Sequence, residues 1–414
     1  MMMLRCFRIT VGIALIIIQT TCNAQNATWA ERMVSSFMNT YPDSIVVKKY
    51  TTHGPSEERI DKIPDSPASW NYELGVVLKG IEQLWRQTDD KKYFTYLKNN
   101  IDHFVQDDGT IRTYDLLDYN IDDIATGRIV LTLYEQTGEL KYKKAAEQLR
   151  EQLTWQPRTK EGGFWHKHRY PYQMWLDGLY MAGPFYAEYS AVFNHPADFD
   201  DVINQFTWME QHARDNKSGL LYHGWDESKQ QRWAHPQNGT SPEFWSRAMG
   251  WYAMALVDVL DYLPKDHRRR DEVISILGRL AAALKKYQDK DSGAWYQVTE
   301  KGSVSGNYLE ASGSCMFVYA LAKGVRMGYI DKSFFAIAKK GFDGIIKNFI
   351  ETDKSGYVHL LKSCSGAGLG GNPYRDGSFE YYIKEPIRTD DLKAIGPFIL
   401  ASIELESKSK SNSK

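Results

Sequence analysis

Asp291-Ser292-Gly293-Ala294-Trp295 is one of five loops of the same kind along this chain, and their recurrence predicts the fold. Each loop follows an amphipathic segment, carries a glycine after polar residues and continues toward an aliphatic or aromatic residue. Glycine is typical of helix C-caps and of turns with a positive φ, so the loops divide the chain into repeated helical units. The other four loops are Asp107-Asp108-Gly109-Thr110-Ile111, Glu161-Gly162-Gly163-Phe164-Trp165, Lys217-Ser218-Gly219-Leu220-Leu221 and Lys354-Ser355-Gly356-Tyr357-Val358.

Each unit pairs a helix rich in small and apolar residues with an amphipathic helix that carries charges on one face. The first helices are predicted at Leu74–Trp85, Ile124–Gln136, Gly178–Phe193, Arg247–Leu263, Ser314–Met327 and Leu392–Leu405. The second helices are predicted at Lys91–Phe104, Tyr142–Leu153, Phe199–Arg214, Asp271–Tyr287 and Lys332–Phe349. The sixth unit lacks a second helix, and the amphipathic segment Thr28–Tyr41 can supply it.

Six inner and six outer helices predict an all-α protein, a closed (α/α)6 barrel or six-hairpin toroid. We expect a single domain over residues 25–406, a polar tail over 407–414, and strands only as short hairpins in the loops. An open helical array is the alternative, but it leaves Thr28–Tyr41 without a partner. In a toroid the N-terminal ends of the inner helices surround one mouth, where their dipoles favour anions.

Residues 1–24 have the pattern of a signal peptide. Arg5 and Arg8 precede an apolar run from Ile9 to Ile18, and Cys22-Asn23-Ala24 offers small residues before a cut after Ala24. A retained signal anchor and a lipoprotein cut before Cys22 are the alternatives. No other apolar run is long enough to cross a membrane. We expect an exported, periplasmic monomer, with secretion or a lipid anchor left open.

The composition excludes a nucleic-acid partner and leaves two possible roles for the many aromatic residues. The chain of 414 residues carries 51 Lys and Arg against 52 Asp and Glu, so it lacks the basic excess of a nucleic-acid binder. Its 12 Trp, 26 Tyr and 17 Phe can form a core or offer faces for sugar rings. Cys315 and Cys364 remain after signal cleavage, and we expect two free, buried thiols, although their spacing also permits a disulfide.

Two acidic positions at the starts of inner helices are candidates for acid/base chemistry. Asp177 lies in an apolar, aromatic stretch, and such surroundings raise the pKa of a carboxyl group, as a general acid requires. Its alternative role is an N-cap. Asp122 and Asp123 present the same choice, and we expect one of the two to be a cap. A second carboxylate near Asp177 would raise its pKa further or orient water.

Basic and aromatic residues accompany these carboxylates. His223 can share a proton with Asp177, although a structural role is the alternative. His166 and His168 have His-x-His spacing without a third ligand, so we expect no metal site. Arg247 lies close to Trp245 and Trp251, and an arginine among exposed aromatic rings suits a sugar carboxylate. An arginine that caps a neighbouring helix is the alternative for Arg247.

These motifs together resemble glycoside hydrolase family 105, the unsaturated rhamnogalacturonyl hydrolases, over about Trp29 to Ser402. The chain lacks a phosphate loop, a nucleophile elbow and a metalloprotease helix, which leaves acid/base chemistry on a carbohydrate. The family's (α/α)6 barrel agrees with the helix pattern. The motifs that carry the resemblance are Trp165-His166-Lys167, Gln173-Met174-Trp175-Leu176-Asp177-Gly178, His223-Gly224-Trp225-Asp226 and Trp245-Ser246-Arg247-Ala248-Met249-Gly250-Trp251.

The resemblance implies a hydration reaction. The substrate is a lyase-made oligosaccharide with a C4=C5 double bond in its terminal uronic acid, here an unsaturated rhamnogalacturonan disaccharide. Asp177 matches the residue that protonates C4 and activates the water attacking C5, and Asp122 matches a second essential carboxylate, although Asp123 stays open for that role. No metal or cofactor is implied. The residues that match the uronate site are Tyr72, His166, Lys167, Trp175, His223, Trp245, Arg247 and Trp251.

Four alternatives are retained. A family 88 enzyme would act on unsaturated glycosaminoglycan disaccharides with the same fold and mechanism, and an ulvan-derived substrate would change only the sugar beyond the scissile bond. A sugar 2-epimerase would need histidines on facing inner helices, whereas the histidines here lie mainly in loops. A non-catalytic glycan binder would keep its affinity without Asp177.

Overall fold

The computed structural model describes residues 27–48, 51–53, 60–62 and 66–406. The predicted signal peptide, 1–24, and the polar tail, 407–414, lie outside the described residues. The α-helices in the described part are α1 (Trp29–Thr40), α2 (Tyr72–Thr88), α3 (Lys91–Asp102), α4 (Gly127–Thr137), α5 (Leu140–Trp155), α6 (Leu176–Val192), α7 (Asp198–Ala213), α8 (Ser246–Val259), α9 (Arg270–Tyr287), α10 (Ala311–Arg326), α11 (Phe334–Phe349), α12 (Phe379–Lys384) and α13 (Leu392–Glu406).

Six of these helices form an inner ring. Along the ring α2, α4, α6, α8 and α10 pack in chain order, and α13 packs against both α10 and α2. The outer helices α3, α5, α7, α9 and α11 each pack on the inner helix that precedes them, while α1 packs on α13. The closed barrel and the completion of its last hairpin by the N-terminal helix are therefore confirmed.

Local sequence explains where the helices begin and end. At the start of α1 the Thr28 hydroxyl accepts the N–H of Glu31, whose carboxylate accepts the N–H of Thr28 in return. At the start of α2 the Asn71 side chain accepts the N–H groups of Glu73 and Leu74, so this helix starts two residues before the predicted position. Helix α4 ends at Gly138, which has a φ of 68°.

The prediction that strands occur only as short hairpins in loops is wrong in two places. One four-stranded sheet joins segments from opposite ends of the chain, in the order Ile60–Lys62, Thr51–His53, Ile387–Thr389 and Ser363–Cys364. In addition, Gln173–Trp175 pairs antiparallel with Gly224–Asp226 from a different unit. The barrel brings these segments together at one mouth, where their backbones find partners. The strands are β1 (Val47–Lys48), β2 (Thr51–His53), β3 (Ile60–Lys62), β4 (Ser66–Pro67), β5 (Gln173–Trp175), β6 (Gly224–Asp226), β7 (Ile350–Thr352), β8 (Val358–Leu360), β9 (Ser363–Cys364) and β10 (Ile387–Thr389).

A buried ionic network connects four inner helices. Arg128 of α4 donates to Glu188 of α6 at 3.2 Å and to Asp258 of α8 at 2.8 Å. Lys323 of α10 donates to Asp258 at 2.8 Å and to Asp261 at 2.6 Å. Burial would raise the pKa of Asp258, but Lys323 and Arg128 hold it well below its usual value. These charges lie inside the ring, on helices whose sequences are otherwise rich in small and apolar residues.

Cys315 and Cys364 are both free and buried, which confirms the expected pair of thiols. No helix in the described part of the chain combines the length and the apolar composition needed to cross a membrane.

Candidate active site

The predicted site residues converge at the mouth formed by the N-terminal ends of the inner helices. Tyr72 begins α2, Asp122 lies in a 3₁₀ turn (Ile121–Ile124) before α4, His166 and Lys167 precede β5, Trp175 ends β5, Asp177 lies in the first turn of α6, His223 precedes β6, and Trp245, Arg247 and Trp251 lie at or in α8. The structure thus gathers residues from four inner helices and the loops before them.

Asp177 faces His223. The N–H of Leu176 donates to the carbonyl of His223 at 3.0 Å, and this backbone pairing sets the two side chains side by side. Oδ2 of Asp177 lies 3.1 Å from Nε2 of His223. The two atoms are in contact but do not form a hydrogen bond, because the oxygen does not lie along the Nε2–H direction. Trp175 occupies the N-cap position of α6, so Asp177 is not the cap of its helix. Its carboxylate remains available for chemistry.

His223 is held on its other side by a tyrosine that the sequence gave no reason to select. Oη of Tyr382, in α12, lies 2.8 Å from Nδ1 of His223, and both side chains are fully buried. Burial holds the pKa of Tyr382 well above its usual value, so the phenol keeps its proton. The direction of its hydrogen bond with Nδ1 depends on the tautomer of His223, and the hydroxyl donates when His223 carries its hydrogen on Nε2, on the side of Asp177.

Asp122 lies in a cationic environment. Nζ of Lys167 donates to its Oδ2 at 2.5 Å, and Nε2 of His166 lies 3.4 Å from its Oδ1. Burial would raise the pKa of Asp122, but the positive charge of Lys167 lowers it, so this carboxylate stays ionised. The expectation that Asp122 or Asp123 is a cap is wrong, because Asn120 caps this turn through the N–H of Asp122.

The pKa of Asp123 is shifted in the opposite direction to that of Asp122. Burial, with the nearby charge of Asp122, raises the pKa of Asp123 to about 7. Of the two adjacent carboxylates, Asp122 makes the contacts with His166 and Lys167. The geometry therefore favours Asp122 as the second carboxylate of the site.

The indole of Trp175 contacts both histidines that lie beside the two carboxylates. The ring of His166 stacks on it with centroids 4.5 Å apart and planes 16° apart, and Tyr170 also stacks on it at 4.9 Å. His223 meets the same indole at 5.3 Å in a T-shaped contact. Burial lowers the pKa of His166 to about 4, so the stacked imidazole is neutral near pH 7.

Arg247 is buried behind the mouth. Its Nε donates to Oγ of Ser312 at 2.7 Å, and its Nη2 bonds the carbonyl of Cys364 and lies 3.5 Å from Oε1 of Glu310. Glu310 is the cap of α10, so Arg247 contacts the capping carboxylate but does not itself cap that helix, as the alternative required. Its Nη1 is buried without a hydrogen-bond partner among the described residues and is free to meet a carboxylate.

The aromatic residues of the mouth are buried rather than exposed. Trp175, Trp245 and Trp251 expose 4%, 2% and 1% of their surfaces, which corrects the expectation of an arginine among exposed rings. Trp251 packs between Tyr180 at 4.8 Å and Tyr72 at 6.1 Å. Trp175 is covered by residues from two distant loops, whereas Trp245 and Trp251 belong to the main hydrophobic core.

That cover is a small apolar cluster. Trp233 and Leu369, from the loops after β6 and after β9, pack with Tyr170 and Trp175, and Tyr374 packs on the outside. Nη2 of Arg375 donates to Oη of Tyr170 at 2.8 Å and fixes the second loop. The cluster encloses one side of the Trp175 indole, which contacts His166 and His223.

Sequence reasoning missed Tyr382, Gln297 and Glu310. Gln297 accepts from Nε1 of Trp245 at 3.1 Å and donates to the carbonyl of Tyr382, so it couples two walls of the site. None of the three belongs to a recognised motif: Tyr382 lies in the short helix α12, Glu310 is a helix cap, and Gln297 lies in a loop. In the described part of the chain, no group of three or more His, Cys, Asp or Glu side chains is arranged to hold a metal ion.

Comparisons with known proteins agree with this geometry. The model of Glycosyl Hydrolase Family 88 matches residues 29–408. A glycoside hydrolase of family 105 from C. acetobutylicum ATCC 824 is 46% identical, covers 92% of this chain and 99% of its own, and superposes with a TM-score of 0.85. The unsaturated rhamnogalacturonyl hydrolase YesR of Bacillus subtilis (strain 168) is 28% identical over 277 residues, which are 65% of this chain and 75% of YesR.

Some relatives are named for a different substrate. An unsaturated 3S-rhamnoglycuronyl hydrolase from Alteromonas sp. (strain LOR) is 26% identical over 194 residues, 46% of this chain and 45% of that protein.

Fold, site and comparisons together make the protein a glycoside hydrolase. Within that class, the chain belongs to the family 88 and 105 enzymes, the unsaturated glycuronyl hydrolases. The predicted resemblance to family 105 is confirmed, and the binder and epimerase alternatives give way to a hydrolase.

Proposed function

We propose that this enzyme hydrates the C4=C5 double bond of the terminal uronic acid on an unsaturated rhamnogalacturonan disaccharide and releases the adjacent sugar. The contact between Asp177 and His223, at the same mouth as the ionised Asp122, carries the proposal. The rhamnogalacturonyl activity of YesR supports this substrate over glycosaminoglycan or ulvan fragments.

Asp177 acts as the acid and then as the base. Its carboxylic proton moves to C4, the electrons of the double bond form the new C–H bond, and the positive charge at C5 is shared with the ring oxygen. Water then attacks C5 and returns its proton to the Asp177 carboxylate. The product is a hemiketal at C5, whose ring opens to a ketone and leaves a hemiacetal at C1 that releases the next sugar.

The surrounding residues hold the reactants. Asp122, kept ionised by Lys167, stabilises the developing positive charge and orients the water. Nε2 of His223 lies 3.1 Å from the Asp177 carboxylate and stays in contact with it as the proton leaves and returns. Arg247 offers Nη1 to the uronate carboxylate, while Tyr72, Trp175, Trp245 and Trp251 shape the pocket around the planar ring. His166 completes the wall between the two carboxylates.

The deciding experiment follows the ultraviolet absorbance of the conjugated double bond. With rhamnogalacturonan, glycosaminoglycan and ulvan lyase products as substrates, we expect the fastest loss of absorbance on the first. Asp177→Asn should lower kcat by at least about 100-fold with substrate binding retained, because general acid–base catalysis is lost. Asp271→Asn, on the exposed surface of α9, is the control. Undiminished turnover by Asp177→Asn, or unchanged absorbance with all three substrates, would contradict the proposal.

We also propose that the protein is exported to the periplasm after removal of residues 1–24 and works there as a monomer. The charged and apolar pattern of that segment supports export. N-terminal sequencing of the periplasmic fraction would test the cleavage site, and light scattering would test the oligomeric state.

A further inference from the structure

The loop that follows β9 has the composition of a movable segment. Residues 365–378, the glycine-rich loop, connect β9 to α12, and five of them are glycines. The base of the loop is attached, since the N–H of Ser365 donates to the carbonyl of Pro386 at 2.6 Å. A Cβ on the next residue, Gly366, would meet no described atom within 4 Å beyond its chain neighbours. The backbone at Gly366 therefore has room to change its torsion angles.

The tip of the glycine-rich loop lies over the rim of the mouth. Leu369 is fully buried, and its Cδ1 packs so closely on Gly224 that a Cβ there would come within 2.6 Å. Gly224 pairs with Trp175 in the β5–β6 ladder and follows His223 in the chain. Leu369 thus covers the edge of the mouth beside the histidine that contacts Asp177.

Both carboxylates of the mouth are nearly covered in this structure. The side chains of Asp122 and Asp177 are each 13% exposed, and Oδ2 of Asp177 is buried. A reacting sugar ring has to lie against these carboxylates, so it has to reach atoms that solvent hardly reaches. Enzymes with enclosed sites commonly use loops that open for entry and release.

The contacts that hold the tip in place are small and come from side chains. Nη2 of Arg375 donates to Oη of Tyr170 at 2.8 Å, and Cζ of Arg232 lies 4.2 Å from the ring centroid of Tyr374. The apolar contacts of the tip belong to the small cluster described above, which is separate from the main core. A segment with few buried contacts opens at a low free-energy cost.

The closed arrangement also leaves polar groups without partners. Nε1 of Trp233 and Oη of Tyr374 are buried, and neither has a hydrogen-bond partner among the described residues. A buried polar group that loses water without gaining a partner destabilises the arrangement that buries it. Opening of the loop returns both groups to water. The apolar cluster and the Arg375 contact thus favour closure, these two groups oppose it, and the balance permits both states.

We propose that the glycine-rich loop is a lid on the mouth, shut in this structure, which opens for the sugar to enter and for the products to leave. Leu369 is the cover, the contact of Arg375 with Tyr170 is the latch, and Gly366 supplies the turning point. The proposal goes beyond the hydration reaction, because it concerns access to the mouth and holds for any sugar that reacts there.

Labelling of a buried thiol measures the opening without any substrate. Leu369→Cys should react with a soluble aromatic disulfide at least about 100-fold faster than Leu360→Cys, whose side chain is equally buried but lies in β8. Addition of Arg375→Ala to Leu369→Cys should raise the rate about tenfold further, since the latch is lost. Addition of Arg326→Ala, which breaks an outer ion pair with Glu404, is the control. Equal rates at positions 369 and 360, or no response to Arg375→Ala, would overturn the lid.

Proteolysis gives a second measurement in which the loop itself is unchanged. Arg375 is the only trypsin site in the glycine-rich loop. Tyr170→Phe removes the hydroxyl that accepts from Arg375 and should speed cleavage after Arg375 about tenfold, because cleavage follows the open population. Tyr142→Phe, which removes a buried hydroxyl bonded to Asp102 between outer helices, is the matched control. The same cleavage rate in Tyr170→Phe and in the wild-type enzyme would contradict the latch.

Reversible closure tests whether the sugar needs the lid to open. Tyr170→Cys combined with Arg375→Cys places two thiols where the latch was, and a short bifunctional maleimide with an internal disulfide would join them. The joined enzyme should lose at least about tenfold in kcat/KM, and reduction of the linker should restore it. Full turnover with the linker in place would overturn the lid. A wild-type enzyme that opens as expected but turns over no lyase product would instead overturn the proposed hydration reaction, so the two failures are distinguishable.

Discussion

At the scale of single residues, the two carboxylates of the mouth are positioned by different partners. Asp122 is fixed by the ammonium group of Lys167, whereas Asp177 lies beside a histidine whose far nitrogen is bonded to Tyr382. The ion pair with Lys167 keeps Asp122 charged, whereas the neighbour of Asp177 is a histidine side chain. Division of roles between paired carboxylates by their surroundings is a general feature of acid/base enzymes.

Removal of the hydroxyl group of Tyr382 tests this arrangement. Tyr382→Phe should lower kcat about tenfold with a smaller change in KM, because Nδ1 of His223 loses the donor that fixes its hydrogen on Nε2. The nitrogen NMR spectrum of His223 should show a larger share of the Nδ1–H tautomer. Tyr381→Phe removes a hydroxyl that accepts the N–H of Gly368 and is the matched control. An unchanged kcat together with an unchanged tautomer ratio in Tyr382→Phe would show that this tyrosine only fills space.

At the scale of elements, the inner helices are joined by charge as well as by apolar packing. Asp258 of α8 forms ion pairs with Arg128 of α4 and Lys323 of α10, and all three side chains are buried. Partners in such a network are mutually dependent, because a charge that loses its partner inside the protein stays desolvated without compensation. The network therefore fixes how neighbouring hairpins align more than it adds to net stability.

Asp258→Asn should lower the free energy of unfolding by about 3 kcal/mol, because two buried cations each lose one of their two carboxylate partners. Urea denaturation would measure the change. Glu404→Gln, which breaks the pair with the half-exposed Arg326, should cost no more than about 1 kcal/mol. Because the pKa of Asp258 is lowered in the folded protein, its stabilisation is present above about pH 4 and is lost on acidification. Equal costs for the two variants would contradict a structural role for the network.

At the scale of the whole molecule, closure of the ring depends on helix α1. The N–H of Trp29 donates to Glu406 of α13 at 2.8 Å, and the N–H of Val358 donates to Oγ of Ser36 at 2.8 Å. Phe37, 4% exposed, packs against Tyr41 at 5.0 Å. The first and last hairpins are thus one structural unit, and the barrel has no free end.

A closed ring should unfold in a single transition. Phe37→Ala should destabilise the protein by about 3–5 kcal/mol, as loss of a buried phenylalanine does, and the transition should remain single because no hairpin can separate alone. Calorimetry would measure both quantities, with Phe335→Ala, 44% exposed on α11, as the control. A separate low-temperature transition in Phe37→Ala would indicate an open array of hairpins.

Most of the barrel was predictable from the sequence because amphipathic periodicity is a local property. The prediction Asp271–Tyr287 differs from α9 by one residue, and the orphan segment Thr28–Tyr41 matches α1 to within one residue at each end. The β5–β6 pairing was not predictable, because two three-residue strands from different units carry no pattern of their own.

The sequence by itself determined the repeated hairpins, their closure and the acidic and aromatic residues at the helix starts, since each is encoded within a few neighbouring positions. Only the tertiary structure decided that Asp122 rather than Asp123 contacts His166 and Lys167, that the indole rings are covered, and that Tyr382 supports His223. Tyr382 and His223 are 159 positions apart, and Arg128 and Asp258 are 130 apart. Such contacts depend on how the hairpins close around one axis, which no local pattern contains.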